Sequence, residues 1–269
     1  TDGKRYGFDR DLAYKGDGIY TYTFVADDGT AAATGAPTSD FSVTVSDIAN
    51  TPPTLTWATA NCLEEGVRPP RGDNGTNFEF QVIYTDADDQ CAATIEVWID
   101  EDDSSTYEAG EKYSLTEGDT GDTDCTDGKL YALTRTLAYS GDGTIAYRFN
   151  ASDGVDQASG VPVADAAVSV YNATVVRPSG SSEAYDYTSV ITAINAVGGA
   201  ILVYPNDDYS AATYTENVTM YNKDDRSVIS ACGADFTTIS SATAGHTVHV
   251  QDSSNFVMDG FSITGATNS

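Results

Sequence analysis

The sequence predicts an all-β protein, with antiparallel sandwich units of two sheets followed by a C-terminal segment of different texture. Runs rich in Val, Thr, Tyr and Phe alternate apolar and polar positions, as at Phe78, Phe80, Val82 and Tyr84. This period of two is typical of a half-buried strand. Clusters of Gly and Asp, such as SGDG and ASDG, separate the runs and indicate turns.

An internal repeat organises the first two thirds of the chain. Residues 1–45 align without gaps on residues 126–170, an offset of 125, and about half of the aligned positions are identical. About 75 residues before the second copy belong to the same unit. Residues 51–172 are therefore predicted to be one complete unit and residues 1–50 the C-terminal half of another, so we expect the chain to open within a domain.

The complete unit has the strand content of a small sandwich. Seven strands are predicted, at Thr54–Trp57, Asn77–Tyr84, Ala93–Ile99, Lys112–Leu115, Leu130–Ala138, Ile145–Ala151 and Ala166–Tyr171. Seven short strands in such a length favour two packed antiparallel sheets. The opening TPPTLTW, the YTDADD run, the VWID strand and the closing YRFNASDG resemble the immunoglobulin-like and cadherin-like repeats of large bacterial surface proteins.

The texture changes after Val175. Residues 173–187 form a polar linker, and residues 188–269 begin with apolar positions at helical spacing, with Asp186 or Thr188 as the cap and Gly198-Gly199 as the stop. The sequences VYP, YTENV and NFVMDGFSITG then resemble the first coils of a right-handed parallel β-helix of the pectin-lyase-like type, which begins with a short capping helix. Such solenoids usually have many coils, so we expect the native chain to continue.

Charge and composition exclude several functions. Forty-one acidic residues against thirteen basic ones give a formal charge of −28, which argues against nucleic acid and repels anionic membranes. No apolar run approaches the roughly 20 residues of a membrane span, so membrane insertion is not expected. Four cysteines without a CxxC pair fit an oxidising compartment. The sequence therefore indicates a secreted, extracellular protein.

The strongest candidate for chemistry is a calcium-binding loop. From Asp100 the sequence places oxygen-bearing side chains at positions 1, 3, 5, 7, 9 and 12, the offsets of an EF-hand loop: Asp100, Asp102, Ser104, Thr106, Glu108 and Glu111. Ser105 replaces the usual glycine at position 6, and a strand replaces the preceding helix. The alternative interpretation is a solvated acidic turn.

A second calcium site is predicted where one unit would join the next. In a seven-strand sandwich of this kind, the entry pole collects Asp86, Asp88, Asp89 and Asp153, together with Asp47 and Asn50 from the preceding linker. Cadherin-like modules bind calcium with such converging carboxylates, which repel one another when no cation neutralises them. The alternative is that all of them are exposed turn residues.

The same topology ranks the three possible cysteine pairings. Cys91 and Cys125 lie at the entry pole and are predicted to form a disulfide. Cys62 lies at the exit pole facing the β-helix, which contains Cys232, so a second disulfide between the units is favoured. The alternative for Cys232 is a free thiol buried inside a coil.

Other motifs have a weaker basis. Asn74, Asn150, Asn172 and Asn217 begin N-glycosylation sequons, of which Asn150 is expected to be inaccessible and Asn217 to point from a coil corner. The tripeptide RGD at 71–73 is expected on a loop. His246 and His249 are expected on opposite faces of one strand and so unable to chelate one metal without a bend.

Three classes of function are compatible with the sequence. The sequence favours a structural segment of a long secreted surface or filament protein, with sandwich repeats as spacers, a β-helix as a display surface, and copies or further repeats meeting end to end. The alternatives are a carbohydrate-active β-helix enzyme, or a carbohydrate-binding adhesin, carried on the same spacers. No constellation of catalytic residues is recognised, so no catalytic residue is assigned.

Overall fold

The computed structural model of the chain describes residues 3–9, 18–45, 49–137 and 142–265. The protein is all-β with a single α-helix among these residues. An N-terminal hairpin comes first and consists of β1 Gly18–Tyr22 and β2 Phe41–Val45, paired antiparallel.

A unit of two sheets follows and is called here the two-sheet unit. Its strands are β3 Thr54–Trp57, β4 Val67–Arg68, β5 Arg71–Asp73, β6 Asn77–Thr85, β7 Thr94–Ile99, β8 Lys112–Ser114, β9 Thr116–Glu117, β10 Lys129–Thr136, β11 Gly143–Ser152 and β12 Ala166–Tyr171. One sheet has the order β3-β6-β10-β9 with β4 beside β6, and the other has the order β5-β12-β11-β7-β8. Every pairing is antiparallel except that of β5 with β12, so the second sheet is mixed and the expectation of purely antiparallel sheets was wrong there.

Both sheets contribute to one core. The alternating residues of β6 that predict this strand, Phe78, Phe80, Val82 and Tyr84, are all fully buried. They face residues of β11 in the other sheet, where the Phe80 and Tyr147 rings meet edge to face with their centroids 5.1 Å apart. Burying each such side chain stabilises the fold by about 1.5–3 kcal/mol, and the edge-to-face geometry adds to this.

The sequence repeat also appears in the strand register. In the hairpin, Gly18 pairs with Val45, and in the two-sheet unit Gly143 pairs with Val170, the same pair displaced by 125 residues. The isolated bridge between Asp27 and Ala32 likewise corresponds to the bridge between residues 152 and 157. The two copies of the repeat thus form the same local structure.

The remaining residues form a β-solenoid of about three turns. Its elements are β13 Ala173–Val176, α1 Val190–Ala196, β14 Gly199–Val203, β15 Ala212–Thr215, β16 Val218–Tyr221, β17 Arg226–Ser230, β18 Thr237–Ser240, β19 Val248–Gln251, β20 Phe256–Asp259 and β21 Ser262–Thr264. They stack in three parallel sheets with the orders β13-β14-β17-β20, β15-β18-β21 and β16-β19. The inward positions of successive coils, including Tyr214, Met220 and Ile239, are buried against one another.

Helix α1 covers one end of this solenoid core, as the sequence indicates. Its cap differs from the prediction, because Ser189 accepts a hydrogen bond from the backbone N–H of Thr192 at 3.2 Å. The Glu216 carboxylate, from the first coil, accepts the N–H groups of Val190 and Ile191 at 2.9 and 3.0 Å. These N–H groups have no partner within a helix, so the side chain from the coil satisfies them and fixes the helix on the solenoid.

Asn217 holds two successive coils together at a corner. Its amide nitrogen donates to Ser241 Oγ at 3.1 Å and to the carbonyl of His246 at 2.8 Å. Its amide oxygen accepts the N–H groups of Ala242 and Thr243 at 3.1 and 3.0 Å. The side chain therefore points into the turn of the next coil, and the expectation that it projects outward for glycosylation was wrong.

We predict that Asn217→Ala lowers the free energy of unfolding by about 2 kcal/mol, because five backbone and side-chain groups of the next turn lose their partner. Asn172→Ala is the matched control, since Asn172 is exposed and begins a sequon in the same way. Urea denaturation of the two variants measures the difference. Equal midpoints would contradict the role of Asn217 in closing the coil.

Candidate functional site

Three carboxylates of the acidic loop, residues 100–111, converge in space. The ligand oxygens of Asp100, Asp102 and Glu111 lie within 4.8 Å of one another, the only such group of three or more acidic, His or Cys residues in the described part of the chain. Asp100 and Glu111 are buried, whereas Asp102 is exposed. Positions 1, 3 and 12 of the predicted calcium loop thus come together around a small volume that is open to solvent on one side.

The backbone of the acidic loop explains how Ser105 replaces glycine at position 6. Ser105 takes the left-handed conformation with φ of 64°, the conformation for which glycine is favoured. Asp100 compensates, because its two carboxylate oxygens accept the N–H groups of Ser104 and Ser105, each at 2.9 Å. The loop therefore makes its sharp turn without glycine.

The other predicted ligands line the exposed side of the acidic loop. Ser104 Oγ lies 3.0 Å from Thr106 Oγ1, and the Thr106 hydroxyl donates to Glu108. Burial, together with the neighbouring Glu108 carboxylate, raises the pKa of Glu111, whereas the hydrogen bond from Thr106 leads the contributions that lower the pKa of Glu108. Carboxylates and hydroxyls thus lie at close range, and burial disfavours the charged form of the Glu111 carboxylate. Such a set of oxygen ligands fits a hard cation such as Ca²⁺.

Two side chains of the acidic loop, neither of them predicted, anchor it to the two-sheet unit. The Tyr107 ring packs beside Trp98 and beneath the guanidinium of Arg148, 4.5 Å from the ring centroid, and its hydroxyl donates to Asp165 at 2.7 Å. These partners belong to, or adjoin, the sheet that contains β7 and β11. Sequence reasoning missed Tyr107 because it searched the loop for oxygen ligands alone.

The second anchor is an ion pair to the opposite sheet. Arg135 on β10 donates to both carboxylate oxygens of Glu101, at 2.6 and 3.1 Å, and its guanidinium lies 3.8 Å from the Tyr113 ring centroid. Bidentate pairs of this kind are among the stronger hydrogen-bonded contacts. A cation that orders the acidic loop would therefore act on both sheets.

The entry pole contacts the preceding linker through Asn50 and Thr51, and its carboxylates in the described part of the chain do not form a three-carboxylate cluster. The Asn50 amide donates to Asp153 and to Asp156, each at 2.9 Å, and the N–H of Thr51 donates to Asp88 at 2.6 Å. Burial acts to raise the pKa of Asp153, but the hydrogen bonds from Asn50 and the backbone outweigh it and lower the pKa overall.

The remaining acidic residues of the entry pole also accept hydrogen bonds from protein groups. Asp86 accepts the N–H groups of Asp88 and Gln90, and Asp89 accepts the N–H of Cys125 at 2.9 Å. Asp47 lies outside the described residues. Amide and backbone donors thus contact the described carboxylates of this pole, and calcium binding there stays a prediction.

Both predicted disulfides are present. Cys91 is bonded to Cys125 within the two-sheet unit, with a Cα–Cα distance of 5.4 Å. Cys62 is bonded to Cys232 of the solenoid across a sequence separation of 170 residues, with a Cα–Cα distance of 5.0 Å. All four cysteines are therefore paired.

A buried contact surrounds the Cys62–Cys232 disulfide and is called here the junction. The Tyr204 hydroxyl lies 2.6 Å from Thr76 Oγ1, and both residues are buried. Burial raises the pKa of Tyr204, so the hydroxyl stays protonated. Cys62 shares one hydrophobic cluster with solenoid residues, among them Leu202 and Ile229, so the junction resembles the interior of a single domain.

The RGD tripeptide belongs to this junction and not to a projecting loop, so the loop expectation was wrong. Residues 71–73 form β5, and the Arg71 guanidinium donates to the carbonyl of Ser230 at 3.2 Å and lies 3.5 Å from Asp259. Gly72 is buried, and a Cβ there would come within 2.5 Å of Phe78. The tripeptide therefore takes part in the contact between the two units.

Two depressions in the surface lie beside Pro178, and the acidic side chains that line them accept hydrogen bonds from other protein groups. Asp207 accepts hydrogen bonds from Ser181 and Ser182, and Glu216 accepts those of the α1 N-terminus.

Of the sequon residues, Asn74 and Asn172 are exposed, and Asn150 lies within β11.

The sequence of the chain matches no protein-family model and no curated protein. In the described part of the chain the single helix has seven residues, too few to cross a membrane.

We predict that calcium raises the melting temperature of the protein and that chelator reverses the rise. A cation that binds only the native state adds about 2.7 kcal/mol at a hundredfold excess over its Kd. The double substitution Asp100→Asn/Glu111→Gln removes two of the three converging carboxylates and should abolish the shift, whereas Asp119→Asn, an exposed acidic turn residue, should retain it. Scanning calorimetry with calcium or with chelator measures the melting temperature of the parent and of each variant. If calcium does not change the melting temperature of the parent, the calcium site is contradicted.

Proposed function

We propose that the chain is a load-bearing structural segment of a secreted, modular surface or filament protein. The two-sheet unit acts as an immunoglobulin-like, cadherin-like spacer, and the solenoid continues it as a right-handed parallel β-helix. The internal repeat supports this proposal, because residues 1–45 recur at an offset of 125 as residues 126–170, and the paired strands of both copies have the same register. Further repeats or copies of the chain would meet it end to end.

The observation that carries the proposal is the position of the Cys62–Cys232 disulfide. Tension applied between the two ends of the chain enters at a residue before Cys62 and leaves after Cys232, so it passes through the covalent bond. The 170-residue separation encloses the core strands β4 to β12 and the first solenoid coil. A pulled chain therefore cannot unravel these elements, which suits a spacer under load.

Two further features support an extracellular mechanical role. Both disulfides require an oxidising compartment to persist. The acidic loop contacts both sheets through Tyr107 and Glu101, so calcium at extracellular concentrations would stabilise the spacer where it works. The formal charge of −28 keeps neighbouring molecules apart laterally and leaves end-to-end contact as the favoured arrangement.

We predict that removing the disulfide between the units lengthens the protein under force. In single-molecule pulling from the two termini, the Cys62→Ser/Cys232→Ser variant should gain up to about 480 Å of extension on unfolding, at about 3.5 Å per residue. This length corresponds to the 170-residue separation less the 34-residue separation of the Cys91–Cys125 pair, whose loop stays closed.

The Cys91→Ser/Cys125→Ser variant is the matched control. It should unfold to the same extension as the parent, because the outer disulfide already shields the inner loop from tension. Equal extensions for the parent and the Cys62→Ser/Cys232→Ser variant would contradict the load-bearing proposal.

A further inference from the structure

The two histidines of the chain lie together on the outside of the solenoid. His246 and His249 are its only histidines, and both are exposed. Their rings face each other with centroids 5.4 Å apart and planes inclined by 26°. The expectation that they point to opposite sides of one strand was wrong, because β19 begins only at Val248 and the chain bends at Thr247.

The backbone that carries these two side chains is fixed on both sides of the bend. Asn217 donates to the carbonyl of His246, and Thr247 turns inward, where its hydroxyl donates to the carbonyl of Thr264 at 2.8 Å. His249 lies within β19, in register with Thr219 on the preceding coil. The two imidazoles thus project from a rigid corner, and their spacing does not depend on a mobile loop.

That spacing fits two ligands of one metal ion. A zinc–imidazole bond of about 2.0–2.1 Å places the ring centre about 3 Å from the ion, so two rings on a tetrahedral ion have centres about 5 Å apart. The observed 5.4 Å lies close to this value. The rings are stacked face to face in the structure, so binding one ion requires each exposed side chain to turn about its torsions until one nitrogen of each ring points at the ion.

We propose that His246 and His249 form a site for a borderline divalent transition-metal ion of the zinc type, with water completing the coordination. Neutral imidazole suits such ions, whereas calcium takes oxygen ligands. The site is therefore chemically distinct from the acidic loop, and the charge of −28 attracts cations of either kind to the surface.

The test is a zinc titration of the calcium-saturated protein, in which calcium already fills the oxygen sites. Calorimetry should give one zinc site, and the ring proton resonances of both histidines should shift or broaden together. His246→Gln and His249→Gln should each weaken zinc binding by about tenfold or more, because the second ligand loses its high effective concentration.

Gln251→Ala is the matched control, since Gln251 is exposed on β19 two residues beyond His249 and should leave zinc affinity unchanged. Melting temperatures measured without zinc show whether each variant still folds. Zinc affinity that is unaltered in both Gln variants, or histidine resonances that do not respond to zinc, would overturn the proposal.

Discussion

The arrangement of the whole molecule depends on the junction between the two-sheet unit and the solenoid. There the Cys62–Cys232 bond, the Thr76–Tyr204 hydrogen bond and the contacts of Arg71 join segments far apart in the chain. A hydrogen bond such as that between Thr76 and Tyr204 is weak on an exposed surface, where water competes for the same groups. Here both residues are buried, and Tyr204 belongs to the cluster around Cys62, so the junction fixes the relative orientation of the two units beside the covalent bond.

Acidity is the second constraint that the fold has to satisfy. With thirteen basic residues for forty-one acidic ones, ion pairs cannot neutralise most carboxylates. Several aspartates at turns instead accept backbone N–H groups two or three residues ahead, and these hydrogen bonds, with those from neighbouring hydroxyls, lower the pKa of Asp28, Asp124 and Asp208. The pKa of Asp224 is lowered by hydrogen bonds from Ser254 on the next coil. A lowered pKa stabilises the fold above the ordinary carboxyl range, and this contribution is lost as the pH falls through the lowered value.

The acidic loop differs from those turns because its carboxylates converge. Burial raises the pKa of Glu111 where turn geometry lowers that of the exposed aspartates. A carboxylate therefore stabilises a turn where it accepts local hydrogen bonds, whereas burial beside a second carboxylate disfavours its charged form in the acidic loop. The entry pole resembles those turns, because hydrogen bonds from Asn50 and the backbone outweigh burial and lower the pKa of Asp153, and calcium there stays a prediction.

Sequence patterns predicted the elements whose signal is local or periodic. The alternation in β6, the ungapped repeat and the helical spacing at residues 190–197 identify strands, hairpin and helix within a few residues. The loop offsets likewise predict that Asp100, Asp102 and Glu111 meet. Short strands such as β4 and β5 have no periodicity, so their pairing, and the role of Arg71 within it, depends on tertiary contacts that no local pattern contains.

Two errors have one physical cause, which is that a bend changes the direction of the side chains on either side of it. The turn before β19 brings His246 beside His249, although strand periodicity separates residues three apart. The coil corner likewise turns Asn217 inward, where a surface position had been expected. A sequence indicates where a chain is able to turn. The directions that the side chains then take depend on how the coils stack, which the sequence pattern does not show.

Residual dipolar couplings measure whether the junction holds the two-sheet unit and the solenoid in one fixed orientation. Couplings from the strands of the two-sheet unit and from those of the solenoid, measured in one weakly aligned sample, should fit a single alignment tensor. They should still do so when calcium is removed, because the acidic loop lies outside the junction. Two tensors of different magnitude for the two units would show that they reorient independently, and would contradict the account.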